Sequence, residues 1–351
     1  MKLKVLFQVP HVNTIYAGRT IFSGYKNAFI DLGHEFRSLT SADNHTKVFE
    51  EFSPNVLITS LSAYNFRYLD LDLVYKHKKR GLKVFSFIPF WKSPLSKLRI
   101  NEQPGLSEDK DMLRILKSGK FGDVYFNVCE KEDERMAGFD QGTGYKHHTI
   151  PLAADKSMHF PEFDDRFACD ISFLGTNLPE KRKFIKENVI TLAKKYDLKL
   201  FGQDWTLTEQ ALSYADKFGR YFNVPLLNSF RKPNLKLEDE RRIYNSSTVS
   251  LNIHEEYQKK YGGDCNERTF KIPASGGFEI SDRVACIAKY LKEGEEIVIA
   301  DGKKDLHDKI DFYIKHPAKR KKIIEAGRGK VLESHTYHNR VGELLKIYQT
   351  L

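Results

Sequence analysis

Short apolar runs alternate with amphipathic stretches along the first half of the chain, the pattern of a parallel sheet covered by helices. The runs are Leu3 to Val9, Glu35 to Leu39, Val56 to Thr59, Leu82 to Ile88, Asp123 to Val128 and His148 to Leu152. Between the first two, Ile21, Phe22, Tyr25, Ala28, Phe29 and Leu32 recur at helical spacing, and Gly33 is placed to end that helix. The alternation lapses across Asp155 to Asp170, a polar, aromatic and proline-containing stretch, and then restarts. Cys169 to Leu174 reads as a strand, Pro179 to Lys194 as a helix opening on proline, and Leu198 to Phe201 as the next strand. A period that stops and restarts predicts two α/β domains, and 351 residues exceed what one core usually organises.

Beyond Leu198 to Phe201 the reading is less regular. Thr206 to Leu237 has no clean period and is rich in aromatic and basic residues. Glu238 to Ser246 then reads as a helix and Thr248 to His254 as a buried strand. From Asp305 the chain is mostly helical, with a break at His316-Pro317 and an amphipathic tail carrying Val341, Leu344, Leu345 and Tyr348.

Hydrophobic residues make up 40% and charged residues 30%, so the composition is that of a globular chain. The start MKLKVLFQVP lacks the apolar segment and cleavage site of a secretory signal, and no window reaches the roughly 20 apolar residues of a membrane span. Cys129, Cys169, Cys265 and Cys286 form no CxxC pair. These features predict a soluble, cytoplasmic protein with reduced thiols. The formal net charge of +10 predicts an affinity for anions: nucleotide diphosphates, nucleic acid, or an acidic membrane surface to which the protein would attach peripherally.

The densest candidate chemistry is GGDCNERTFKIPASGGFEISD, Gly262 to Asp282. Asp264 followed by Glu267 has the form of an N-cap with its reciprocal partner, which predicts a helix beginning near Cys265. Arg268 and Lys271, three apart, would share a face and strengthen the attraction of a helix start for an anion. Pro273 should kink or end the helix, and Gly276-Gly277 allows a tight turn or close backbone approach to a ligand.

Here the chain resembles the CgeB-like branch of the GT-B glycosyltransferases, whose pattern is approximately N-x-R-x-F-[EK]-x-x-A-x-G-[GT]-F. In this sequence it stands as Asn266, Arg268, Phe270, Lys271, Ala274, Gly276, Gly277 and Phe278. Pro151 to Asp155, Ile171 to Thr176, His316-Pro317, Ala326-Gly327-Arg328, His335-Thr336-Tyr337, Arg340 and Leu344-Leu345 extend the likeness over most of Pro151 to Leu345.

The resemblance implies two Rossmann-like domains facing a cleft: residues 1–160 on the acceptor side, residues 161–335 holding the nucleotide-sugar, and a C-terminal helix in 336–351 returning to the first domain. It implies a metal-independent hexosyltransferase that uses a UDP- or GDP-linked sugar as cosubstrate, needs no cofactor, and acts on a glycan, lipid, protein or small-molecule hydroxyl. Gly175 and Thr176 would lie near the phosphates, Arg182 would be a supporting cation, and Gly202 would sit by the base. His254, Asn266, Glu267, Arg268, Thr269, Lys271, Gly276 and Gly277 complete the expected donor contacts. Arg268 and Lys271 would act catalytically on the diphosphate, and His11, in the loop after the first strand, would be the general base, ahead of Asp155 and Glu130.

Many enzymes of this fold place a glutamate where this chain has Lys271, so the ribose contact would pass to Glu267 or Glu279. Asp70 and Asp72 spell a DxD, but they precede a helix and read as its cap. Neither a GxGxxG after the first strand nor an assembled metal-ligand set is present in the sequence. Two other readings share parts of the evidence. A nucleotide-sugar epimerase has the same architecture, and a nucleic-acid-binding protein or DNA-modifying glycosyltransferase would explain the positive charge and the aromatic-basic stretch Tyr214 to Lys236.

Overall fold

A computed structural model describes residues 2–12, 17–93, 105–222, 224, 226 and 235–351. Two parallel sheets organise them. The first contains β1 (Lys4–Gln8), β2 (Glu35–Leu39), β3 (Val56–Ser60), β4 (Lys83–Phe87), β5 (Val124–Asn127) and β6 (His147–Thr149), in the order β2-β1-β3-β4-β5-β6. The second contains β7 (Cys169–Leu174), β8 (Leu198–Phe201), β9 (Ser247–Asn252), β10 (Glu279–Asp282) and β11 (Val298–Ala300), in the order β11-β10-β9-β7-β8. Strand order reverses beside β1 in one sheet and beside β7 in the other, and the crevice beyond such a reversal is where open α/β sheets bind ligands.

Strands β3 (VLITS) and β5 (VYFN) read as nearly continuous apolar runs because both faces of their sheet are covered. In the first sheet Leu6, Leu57, Val84 and Tyr125 join one core, and Val5, Val56, Phe85 and Val124 join another on the opposite face. The helix Tyr337–Tyr348 belongs to this second core: Tyr337, Val341 and Leu344 pack with Leu3, Val5, Tyr25 and Phe29. The C-terminal helix therefore returns to the first sheet, as the resemblance implied. Gly24 makes room for it, since a Cβ there would fall 2.0 Å from the Tyr337 ring.

The strands of the restarted pattern, β7 and β8, begin and end where their apolar runs do. Two other expectations are modified. The helix from Pro179 changes pitch, passing at Phe184 into a π turn, Ile185–Val189, and then a 3₁₀ turn, Ile190–Lys194. Thr206 to Leu237 contains a helix, Leu207–Tyr221, opened by a Thr206–Glu209 capping box. Its aromatic residues Tyr214 and Phe218 are exposed, so no apolar stripe announced it. Residues 223, 225 and 227–234 of the aromatic-basic stretch lie outside the described residues. Asp70 does cap the helix Leu71–Lys78, accepting from Leu73 N at 3.0 Å. Among the described residues no helix is long and apolar enough to cross a membrane.

Candidate active site

The carboxyl ends of the two sheets face one another across a cavity of about 880 Å3. Gln8, Thr59, Phe87 and Phe126 line it from the first sheet, and Leu174, Gly175, Gly202 and Arg268 from the second. Gly175 and Gly202, which follow β7 and β8, touch backbone to backbone. Gly202 has φ +120°, and a Cβ on it would come within 2.2 Å of Gly175 O. No other residue type meets both conditions. Trp205 Nε1 donates to the same Gly175 carbonyl at 2.9 Å and fixes the loop.

Arg268 opens the helix Arg268–Ala274. Asn266 sets that start, its Oδ1 accepting from Arg268 N at 3.0 Å. The guanidinium turns back onto the ends of β7 and β9: Nε donates to Asn252 Oδ1 at 3.1 Å and Nη2 to Ile253 O at 2.9 Å. The group also lies over the Phe173 ring at 5.6 Å. All these partners are uncharged. Among the described residues no carboxylate comes within ion-pair distance of Arg268, so its charge is left for whatever enters the cavity it lines.

Lys271 is different, which corrects its expected pairing with Arg268 on an anion. It is 5% exposed, and its Nζ lies 3.0 Å from Glu267 Oε2, 3.1 Å from Glu240 Oε2 and 2.9 Å from Thr20 Oγ1. Burial works against its charge, but Glu240 and Glu267 outweigh that and raise its pKa. Two carboxylates on one ammonium leave no positive charge to offer a diphosphate. The helix start is corrected as well. It lies at Arg268, and its first amides are already bonded, Thr269 N to Asn266 O and both Phe270 N and Lys271 N to Glu267 O. Asp264 is no N-cap: it is buried, bonded to the Arg135 guanidinium and accepting from Gln258 Nε2 at 2.8 Å.

The comparisons with known proteins agree with this geometry. Residues 181–346 match the family described as "Glycosyl transferase-like". Spore protein CgeB of Bacillus subtilis (strain 168) is 21% identical over 265 residues, covering 70% of this chain and 74% of that protein. The catalytic domain of starch synthase IV from Arabidopsis thaliana, solved with ADP and acarbose, superposes with a TM-score of 0.65 at 9% identity, covering 100% of this chain and 99% of that one. Anabaena HepE, solved with UDP and glucose, superposes with a TM-score of 0.59 at 9% identity, covering 99% of this chain and 100% of that one. The chain resembles the CgeB-like branch of the GT-B glycosyltransferases over residues 181–346 and has the GT-B fold. It moves a sugar from a nucleotide-sugar donor.

Of the residues expected to serve the glycosyltransferase, His11, Gly175, Thr176, Gly202, Asn266, Glu267, Arg268 and Lys271 line the cavity. His11 is exposed there, and Thr176 half-buried. Five others do not line it, each for a local reason. Arg182 is exposed on its helix while its neighbour Lys181 takes the cavity side, a rotation of about 100° per residue that a KRK run does not reveal. His254 is 2% exposed, its Nδ1 held 2.7 Å from Asp282 Oδ1. Thr269 is fully buried and accepts from Asn252 Nδ2 at 3.1 Å. Gly276 and Gly277 end the helix as a Schellman motif: Gly276, at φ +74°, bonds Pro273 O, and Gly277 bonds Ile272 O.

Neither proposed substitute for the ribose glutamate has a free carboxylate in the cavity. Glu267 Oε1 accepts from Tyr337 at 2.7 Å and Oε2 from Thr20 at 2.7 Å. Glu279 is buried behind Asn252, which donates to it at 2.7 Å, and does not line the cavity.

Sequence reading missed Arg19 and Glu240. Arg19, in the first helix, lines the cavity and donates from Nη2 to Leu235 O at 2.9 Å, while its Nε is buried without a partner among the described residues. Nothing local in the sequence marks it, because its partner Leu235 comes from the other domain. Glu240 lines the cavity from the second domain. Burial alone would raise its pKa, but Lys271 and His159 hold it down at about 2, so it is ionised.

Proposed function

We propose that this glycosyltransferase moves a sugar from a UDP- or GDP-linked donor to an acceptor hydroxyl, with arginine side chains rather than a metal ion or cofactor balancing the diphosphate. The observation that carries the proposal is Arg268, which lines the cleft with only uncharged partners. Support comes from the solved relatives, HepE with UDP and glucose and starch synthase IV with ADP. Among the described residues no three His, Cys, Asp or Glu side chains are grouped as metal ligands.

The reaction breaks the bond from the sugar's anomeric carbon to the diphosphate oxygen and forms one to the acceptor oxygen. The departing diphosphate gains negative charge, so a fixed guanidinium stabilises the transition state more than the ground state. Arg268 supplies it from the second domain, with the backbone of Gly175, Thr176 and Gly202 beside the phosphates. Arg19 adds charge from the first domain. His11, on the first-domain side, takes the acceptor's proton.

The test is Arg268→Ala, assayed for turnover with a panel of nucleotide-sugars and for nucleotide binding by thermal shift. Losing a well-placed stabilising donor lowers turnover by roughly 10²–10³. Activity should persist in EDTA. Near-native turnover of a folded Arg268→Ala protein, or loss of activity in EDTA with recovery on adding manganese, would overturn the proposal.

A further inference from the structure

The cleft has two unlike walls. From the second domain it receives Arg268, Glu240, Glu267 and Lys271; from the first it receives the rings of Phe7, Phe22, Tyr25, Phe87, Phe90 and Phe126 among aliphatic and polar side chains. Phe7 of β1, Ile58 of β3, Phe87 of β4 and Phe126 of β5 point to one face of the sheet at its carboxyl edge and line the cavity side by side. Phe22 joins them from the first helix. Phe7 meets Phe22 at 5.6 Å and 80°, and Phe87 meets Phe126 at 5.9 Å and 79°, both edge-to-face. Phe7, Phe22 and Phe87 are only half-buried, so ring surface is left over at the cavity. We infer that the acceptor carries its hydroxyl on a flat aromatic body that docks against this wall.

The inference rests on the reading of the cleft as a sugar-transfer site and identifies the class of its second substrate. Beside the rings, Gln8, Thr59, Ser60 and Asn65 are engaged with one another or with neighbouring Ser62. Gln8 uses both ends of its amide inside the wall, donating to Asn65 O at 2.7 Å and accepting from Thr59 Oγ1 at 2.7 Å. Asn65 Oδ1 accepts from Ser62 Oγ at 3.1 Å, and Ser60 Oγ accepts from Ser62 N at 3.2 Å. A glycan acceptor would bring several hydroxyls to this wall, and each one buried without a partner weakens binding by roughly tenfold. A single hydroxyl on an aromatic ring leaves the ring to the phenylalanines, whose charge distribution favours edge-to-face partners over alkyl chains. Ligand pockets generally span about 300–1,000 Å3. At about 880 Å3 this cavity is at the upper end, large enough for a donor and a second, ring-sized molecule.

The experiment uses the full chain with 2-naphthol as probe, followed by calorimetry with and without UDP and by product analysis with a panel of UDP- and GDP-sugars as donors, and with maltotriose and farnesol as competing glycan and lipid acceptors. Two variants report on the wall: Ser60→Phe fills the space and Phe22→Ser removes a ring. A UDP thermal shift shows which variants remain folded, and one folded variant suffices. The expected result is saturable 2-naphthol binding and glycosylation of its hydroxyl, at least about tenfold weaker binding in the variants, and no displacement by maltotriose or farnesol. No binding of 2-naphthol, binding unchanged in the folded variants, or displacement by either competitor overturns the inference. The underlying reading fails separately: 2-naphthol binding intact while Arg268→Ala keeps full turnover removes the role of Arg268 and leaves the aromatic acceptor.

Discussion

Tyr337, at the start of the last helix, donates its hydroxyl to Glu267 Oε1 at 2.7 Å and so joins a helix packed on the first sheet to the floor of the cleft in the second. Both side chains are buried, and Thr20 and Lys271 occupy the other Glu267 oxygen. A hydrogen bond to a charged group contributes about 1.5–3 kcal/mol. Tyr337→Phe should lower the unfolding free energy by about that amount, read as a shift in urea midpoint at constant slope. An unchanged midpoint would mean that the two domains are not held through this contact.

Gly24→Ala tests the seating of the same helix. In an exposed helix the change would stabilise by roughly 1 kcal/mol. Here the added Cβ meets the buried Tyr337 ring at 2.0 Å, and overpacking of this kind costs typically about 1–3 kcal/mol. The clash should win and the midpoint should fall. In a Tyr337→Ala background the same change should become neutral or favourable, and a loss undiminished there would contradict the packing described.

Lys271→Met separates the structural lysine from the catalytic arginine. It leaves Glu240 and Glu267 buried without their shared cation, and removing one partner of a buried pair costs about 3–5 kcal/mol. The contribution of this cluster to the pH dependence should reverse sign. In the native protein the depressed Glu240 pKa, about 2 against an ordinary 4.5, gives stability present above 4.5 and lost as pH falls toward 2. In the variant the two carboxylates repel, their pKa values rise, and stability should increase from about pH 7 to about pH 5 more steeply than in the native protein, which gains over this range through Glu279. Denaturant titrations at the two pH values decide it.

How much of this was readable in advance follows from the range of each interaction. Strands β7 and β8 could be placed to the residue because each alternates apolar and polar residues up to a closing apolar pair and stops at a glycine, Gly175 or Gly202. Arg268 was recognisable from its motif, and its function depends on neighbours at the ends of adjacent strands. Lys271 was misread because helical spacing places it near Arg268 but says nothing of Thr20 or Glu240, which arrive from another domain and another helix. Arg19 and the ring wall were hidden for the same reason: a cleft is made by the meeting of two sheets, and neither half carries a local sign of the other.

Gly202→Ala should damage the donor side of the cleft without reaching the first domain. The residue has φ +120°, and the new Cβ would overlap Gly175 O at 2.2 Å, so the loops after β7 and β8 must separate. Strain of this kind costs about 1–3 kcal/mol. The expected outcome is a smaller thermal shift with UDP and a raised KM for the nucleotide-sugar, with 2-naphthol binding retained. An unaltered KM would place the nucleotide elsewhere.

Glu279 links stability to pH around neutrality. It is 4% exposed at the start of β10, accepts from Asn252 Nδ2 at 2.7 Å through Oε1, and has no partner for Oε2 among the described residues. Burial raises its pKa from an ordinary 4.5 to about 8, although Asn252 and nearby positive groups pull the other way. The folded protein therefore holds a proton that the unfolded chain releases, and stability falls as pH rises from 4.5 to about 8. For one group the slope is about 1.4 kcal/mol per pH unit. Glu279→Gln keeps the shape and removes the titration, so the variant's unfolding free energy should lose that slope between about pH 5 and about pH 8. Because Asn252 also accepts from Arg268, the native protein should lose transfer activity above about pH 8, where a charged Glu279 competes for the guanidinium, and Glu279→Gln should retain it. Equal slopes for the two proteins in denaturant titrations across this range would show that Glu279 is already ionised in the fold.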